Sequence, residues 1–136
     1  MKLEFNIVSG DFAMAGKASS QIKKMLKQLH VDPKVIKRIV VAIYEAEVNV
    51  VAHSVGGSMI AEIDGTGINV TVKDNGPGIE DIEKAMQEGF STASKAVRNM
   101  GFGAGMGLPN INRNTDEFKI ESEVGLGTIL TFRNNF

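Results

Sequence analysis

Asp74-Asn75-Gly76-Pro77-Gly78-Ile79 stands between a strand-like run ending in Val70-Thr71-Val72 and a helical run starting near Glu80. A second glycine cluster, Gly101-Phe102-Gly103-Ala104-Gly105-Met106-Gly107, follows later in the chain. Glycine lets backbone approach a ligand closely, and a glycine loop that opens a helix turns N–H groups and the positive helix end toward phosphates. An acidic residue in a tight glycine turn can read a base edge. Two glycine loops bracketing a helix therefore point to a nucleotide pocket.

On the N-terminal side of this stretch, residues 59–63 and 68–72 read as strands joined at Asp64-Gly65-Thr66-Gly67, a strong hairpin signal. Leu3, Phe5 and Ile7 alternate with Lys2, Glu4 and Asn6, the period of a half-buried strand that Gly10-Asp11 ends. Ala15, Ala18, Ile22, Met25, Leu26 and Leu29 recur at helical spacing and give one apolar face. Asp32-Pro33 restarts a helix with an N-cap acceptor and a proline at the first helical position. Val35, Ile36, Ile39, Val40 and Ile43 form its core stripe, and Gly56-Gly57 stop it.

On the C-terminal side, Ile79, Ile82 and Met86 predict a short helix ended by Gly89. Residues 90–100 are polar and aperiodic, so they read as a loop of the kind that closes over ligands. Gly107-Leu108-Pro109 opens another short helix, and residues 118–122 and 128–132 form a last hairpin around Gly125-Leu126-Gly127. The predicted fold class is an α+β two-layer sandwich, with a mostly antiparallel mixed sheet and helices on one face.

At 136 residues the chain reads as one domain, 1–136, large enough to bury a core. A formal net charge of −1 without a basic block argues against nucleic acid as a partner. Lys23, Lys24 and Lys27 read as a solvated helix face. The absence of cysteine rules out disulfides and thiolate metal sites and fits a reducing compartment. With no signal-type apolar block and no run of membrane-spanning length, the expected location is cytoplasmic, with no membrane partner.

Glu45, Asn49 and His53 are spaced i, i+4 and i+8, so they form one polar row on the second helix. Such a row is either a solvated face or a working one. A carboxylate and a carboxamide one turn apart suit a general base and a magnesium ligand, because magnesium takes oxygen donors. His53 by itself reads as a helix-end or core histidine, and two histidines without cysteine make a zinc site improbable. The cluster at residues 101–107 is not a dinucleotide fingerprint, since no strand precedes it and its third glycine is misplaced. Residues 10–17 miss the phosphate-loop pattern by one residue, and Ala18 stands where a Ser or Thr would hold magnesium.

Taken in order, Glu45/Asn49, Asp74/Gly76/Gly78, the 101–107 cluster and Gly125/Thr128 resemble the ATP-binding superfamily of gyrase, the heat-shock chaperone, histidine kinases and the mismatch-repair ATPase. Within this GHKL superfamily the chain is most similar to bacterial serine/threonine kinases of the anti-sigma-factor and stressosome-switch group, the RsbT type. The likeness covers almost the whole chain and implies a Bergerat-type, histidine-kinase-like ATPase fold. It is densest over residues 74–82, 89–92 and 103–109.

The resemblance implies ATP and Mg2+ as cofactors. Glu45 would be the catalytic base for the acceptor hydroxyl, and Asn49 would bind the metal. Asp74 would accept from the adenine amino group, with Gly76 and Gly78 opening the approach and Thr128 reaching the base through water. Gly103, Ala104, Gly105, Met106, Gly107 and Leu108 would cradle phosphates, under a lid spanning about 79–107 whose centre is residues 90–100. His53, Ile79 and Gly101 complete the implied ATP-binding set. Members that bind sigma factors directly carry an arginine where this chain has Gly103, so the likeness favours the switch-kinase branch. The lid also looks longer than in that branch and carries Lys95 and Arg98, and the resemblance leaves open whether either replaces the missing cation on the phosphates.

The implied partner is a STAS-domain antagonist as substrate, with a sigma factor or PP2C-type phosphatase bound alternately. The rival readings are a non-catalytic ATP-ordered binding module, a histidine-kinase catalytic domain and a simple ATPase.

Overall fold

The computed structural model describes residues 1–53, 56–76, 82, 86, 87 and 107–136, the His53 side chain excepted. Five strands, β1 (Lys2–Ile7), β2 (Gly57–Ile63), β3 (Gly67–Asp74), β4 (Glu117–Glu123) and β5 (Gly127–Asn135), make one sheet in the order β1-β2-β3-β5-β4. All four pairings are antiparallel. The helices are α1 (Lys17–Gln28), α2 (Pro33–His53) and α3 (Gly107–Arg113), and α2 packs between the other two.

The architecture is the expected α+β sandwich. Period-two alternation sets the sheet's inner face: Thr128, Leu130, Phe132 and Asn134 of β5 are buried, while Thr131 between them is exposed. Ile22 and Leu26 of α1 and Ile39, Ile43 and Val50 of α2 close over Met59, Val70, Val72, Leu130 and Phe132. Among the described residues no helix is long and apolar enough to cross a membrane.

Local chemistry explains each boundary. Asp32 Oδ1 accepts from the Lys34 N–H at 2.8 Å, the N-cap bond expected before Pro33. Asp64 Oδ1 gathers the N–H groups of Thr66 (2.7 Å) and Gly67 (3.0 Å) and the Thr66 hydroxyl (2.7 Å), which sets the β2–β3 register at Ile63 opposite Ile68.

Three boundaries differ from the sequence expectation. Ala15, counted in the apolar stripe of the first helix, is extended (φ −60, ψ 132), because a 3-10 turn at Phe12–Met14 and Gly16 at φ 97 delay α1 until Lys17. The second helix ends at His53 and Gly57 already belongs to β2, paired with Asp74. The strands of the last hairpin run beyond 118–122 and 128–132. Of the short helix expected around Ile79, Ile82 and Met86, the Met86 N–H donates to the Ile82 carbonyl at 3.0 Å. Ile79, the Gly89 stop and the 90–100 loop lie outside the described residues.

The α1–α2 connection turns on His30, at φ 58. Its N–H donates to Lys27 O (3.1 Å) and the Val31 N–H to Leu26 O (3.2 Å), the two bonds of a Schellman turn, in which glycine is the usual residue. His30→Gly removes the left-handed strain and should stabilise the fold by roughly 0.5–1 kcal/mol net of glycine's extra unfolded-state freedom. A urea titration reads it directly, and a destabilised variant would show that the imidazole has a role of its own.

Asp116 Oδ2 accepts from the Asn135 N–H at 2.7 Å, and its Oδ1 from Arg38 at 3.3 Å. The Asn135 bond first, then Arg38, holds its carboxyl below the ordinary 3.8. The Thr66 bonds do the same for Asp64. A depressed carboxyl contributes stability that is fully present above its unfolded value and is lost as pH falls through the folded one. The thermal midpoint should therefore hold near neutrality and fall below about pH 4. Asp116→Asn should be less stable at pH 7 and should lose less on acidification, and parallel acid curves would remove Asp116 from the account.

Candidate nucleotide-binding site

Helix α2 carries two glutamates with opposite employment. Glu47 is 3% exposed, and its carboxylate accepts the N–H groups of Gly16 (3.2 Å), Ala18 (3.2 Å) and Ser19 (2.9 Å) at the start of α1. Those are orphan donors of a helix N-terminus, so Glu47 is a cap delivered from another helix. Glu45 is half-buried and, among the described residues, receives one bond, 3.3 Å from Asn110 Nδ2 to its Oε1. Asn110 Oδ1 in turn accepts from Arg113 Nη2 at 3.0 Å. Arginine only donates, so this bond fixes which end of the amide faces Glu45.

Asn49, one turn on from Glu45, is also half-buried. Gly107 opens α3 directly beside Glu45: a Cβ on it would lie 3.5 Å from Glu45 Oε2. Leu108 is buried beneath. Glu45 thus stands at the start of a glycine-opened helix, with Asn49 one turn further along α2.

The second group gathers on strand ends. Asp74 closes β3, opposite Gly57 of β2 and Thr128 of β5. Its Oδ1 accepts from the Gly76 N–H at 2.9 Å, which curls the chain into an Asx turn. Backbone crowds both flanks, and only glycine fits there. A Cβ on Gly127 (φ 122) would collide with the Asp74 carbonyl oxygen, and one on Gly57 would collide with the Lys73 carbonyl and lie 3.0 Å from Asp74 Cα. Thr128, 4% exposed, shares a 2.9 Å hydroxyl contact with Ser122.

Chain connectivity ties the two groups together. The last residue of α2, His53, is four residues from Gly57, which pairs with Asp74, so the helix end lies within about 14 Å of Gly57 and about 20 Å of Asp74. The Asn75 N–H donates to Gly56 O at 3.1 Å, closing the same corner.

The structure thus brings Glu45, Asn49, Gly107 and Leu108 together on α2 and α3, and Asp74, Gly76 and Thr128 together at the strand ends. Gly78, Ile79, Gly101, Gly103, Ala104, Gly105, Met106, most of the 79–107 lid including Lys95 and Arg98, and the His53 side chain lie outside the described residues. Sequence reasoning missed Asn110, Ser122, Gly57 and Glu47. Asn110 had a faint signal, its i+3 spacings from Gly107 and to Arg113, and Ser122 had one in the hairpin register opposite Thr128.

This donor set suits a hard cation shared with phosphate: a carboxamide and a carboxylate one turn apart, with no cluster of three acidic or histidine ligands among the described residues.

Residues 8–134 match the histidine kinase-like ATPase domain family. Serine/threonine-protein kinase RsbT of Bacillus subtilis is 37% identical over 95 residues, 67% of this chain and 65% of RsbT. The anti-sigma F factor of Thermoanaerobacter sp. is 38% identical over 106 residues, 73% of this chain and 71% of that protein. Among solved structures, the RsbU and RsbW domains of a Mycobacterium tuberculosis protein superpose with a TM-score of 0.65 at 20% identity, covering 98% of this chain and 31% of that one. The SiaB–SiaC complex from Pseudomonas aeruginosa gives 0.56 at 14% identity, covering 98% and 89%. By the family match over residues 8–134 and these identities, the chain belongs to the histidine kinase-like ATPase domain family and has RsbT and anti-sigma F factor as relatives.

Proposed function

We propose that this chain is a Mg2+- and ATP-dependent serine/threonine protein kinase of the partner-switching type. Its acceptor is a serine or threonine on a STAS-domain antagonist protein, and a sigma factor or a PP2C-type phosphatase is the partner bound alternately. The observation that carries this reading is Glu45: half-buried, oriented by Asn110, one turn from Asn49 and facing the start of α3. The names of RsbT and anti-sigma F factor support it.

Asp74 accepts from the adenine amino group, Gly76 opens the approach to it, and Gly57 and Gly127 let the neighbouring strands pack onto its backbone. Thr128, steadied by Ser122, faces the base from β5. Asn49 would hold magnesium through its side-chain oxygen, and the metal would supply charge neutralisation on the phosphates. Glu45 takes the acceptor's hydroxyl proton as that oxygen bonds to the γ-phosphorus; the bond to the bridging oxygen breaks and ADP leaves. Positioning and charge neutralisation are most of what phosphoryl transfer requires of a protein.

The test incubates the chain with γ-labelled ATP, Mg2+ and STAS-domain proteins. Acid-stable label on a serine or threonine is expected; acid-labile label, or phosphate released with no labelled acceptor, overturns the reading. The pocket has its own test. Mg-ATP at a hundred times its dissociation constant stabilises by about 2.7 kcal/mol, and should raise the thermal midpoint by about 8 °C. In Asp74→Asn the shift should nearly vanish, and an undiminished shift would take the adenine contact away from Asp74. A shift without transfer would favour a non-catalytic module.

A further inference from the structure

The outer face of α1 and α2 carries a charge asymmetry that the nucleotide site does not use. Residues 12–44 hold seven of the 15 Lys and Arg but one of the 16 Asp and Glu, a formal +6 against −7 for the rest of the chain. The lone acid, Asp32, is engaged by the Lys34 N–H, and Arg38 is paired with Asp116 at 3.3 Å. Lys23, Lys27 and Lys37 are exposed, and among the described residues none of them forms an ion pair.

These three lysines rim a groove of about 590 Å³ between the two helices. Its floor is aliphatic: Val31, Ile36, Val40 and Val41. The hydrogen-bonded turn at His30 closes one end and holds the helices side by side. The lysines that read as a solvated face in the sequence thus stand, two of three, over an apolar trough.

The shape and charge select the occupant. A concave apolar floor accepts a convex apolar ridge, which a helix supplies by side chains at i, i+3 or i+4 and i+7, and a basic rim accepts carboxylates flanking that ridge. The wall of α2 from Pro33 to Val41 is about 12 Å long, room for about two helical turns. Nucleic acid fits less well, because the floor offers no aromatic ring to stack a base. A bilayer surface fits less well because it cannot fill a trough and is entered by protruding apolar groups.

We propose that the groove between α1 and α2 docks an acidic amphipathic helix of a partner protein, with its apolar ridge on Val40 and Val41 and its carboxylates on Lys23, Lys27 and Lys37. Docking here does not depend on the kinase reading.

The test titrates the isotope-labelled full chain with a synthetic helical peptide, leucine at i, i+4 and i+7 and glutamate elsewhere, and follows amide shifts. Shifts centred on Val31, Val40 and Val41 are expected, weakening as salt rises from about 0.05 to 0.5 M. Lys23→Glu/Lys27→Glu/Lys37→Glu should weaken binding more than about tenfold with the thermal midpoint kept, and Lys37→Glu alone, held in reserve against misfolding, about threefold. A peptide with lysine in place of glutamate should not bind. The proposal is overturned if the acidic peptide fails to bind, binds elsewhere or ignores the reversals. It is equally overturned if phosphatidylglycerol vesicles alone occupy the groove, or if the same residues shift only with protein concentration, which would make a second copy the occupant.

Discussion

Glu45→Ala should lower phosphoryl transfer by about 10²- to 10⁴-fold, the usual contribution of a positioned general base, while thermal midpoint and Mg-ATP affinity stay close to wild type. Stability is spared because Glu45 is half-buried and, among the described residues, carries a single 3.3 Å bond from Asn110, whose other end stays on Arg113. ATP binding is spared because the adenine and metal contacts are assigned to Asp74 and Asn49. Initial rates with a labelled acceptor, set beside the ATP-induced midpoint shift of the same variant, separate the two effects. Equal loss of both would mean that Glu45 supports the pocket and takes no part in the transfer.

Glu47→Ala, two residues along the same helix, should do the reverse. Its carboxylate is 3% exposed and holds three N–H groups of the α1 start, so truncation leaves buried donors without an acceptor. A loss of about 3 kcal/mol is expected, near 10 °C in the midpoint for a chain of this size. Glu47→Gln keeps one acceptor oxygen and should lose about half of that. Any transfer activity that survives at low temperature should have near-normal kcat. A Glu47→Ala midpoint within a degree or two of wild type would show that water caps α1 just as well.

The contrast between these glutamates follows from helix geometry. Successive residues turn by about 100°, so positions two apart point to nearly opposite sides. One glutamate meets α3 and the other meets the start of α1.

Much of this was legible in the chain because it is local. The alternation in β1, the Asp64-Gly65-Thr66-Gly67 hairpin, the Asp32-Pro33 helix start and the apolar stripe of α2 each depend on residues within a few positions of one another, and each was found where the spacing placed it. The Glu45–Asn49 row is likewise a one-turn relation. The roles assigned along that row and around Asp74 came from the ordered resemblance, since periodicity alone favours a solvated row.

What tertiary structure decided is non-local. The strand order β1-β2-β3-β5-β4 places Thr128 opposite Asp74, and no spacing between positions 74 and 128 encodes that register. Gly57 and Gly127 read as ordinary turn residues until the neighbouring strands bring them onto the Lys73–Asp74 backbone. Asn110 acquires its role only when α3 lies along α2. By itself the sequence determined the elements and the polar groups they display, because short-range sterics and hydrophobic period act along the chain. Which glutamate caps a helix and which faces the pocket was decided by packing, because a side chain's partner is set by what the fold brings within hydrogen-bond distance.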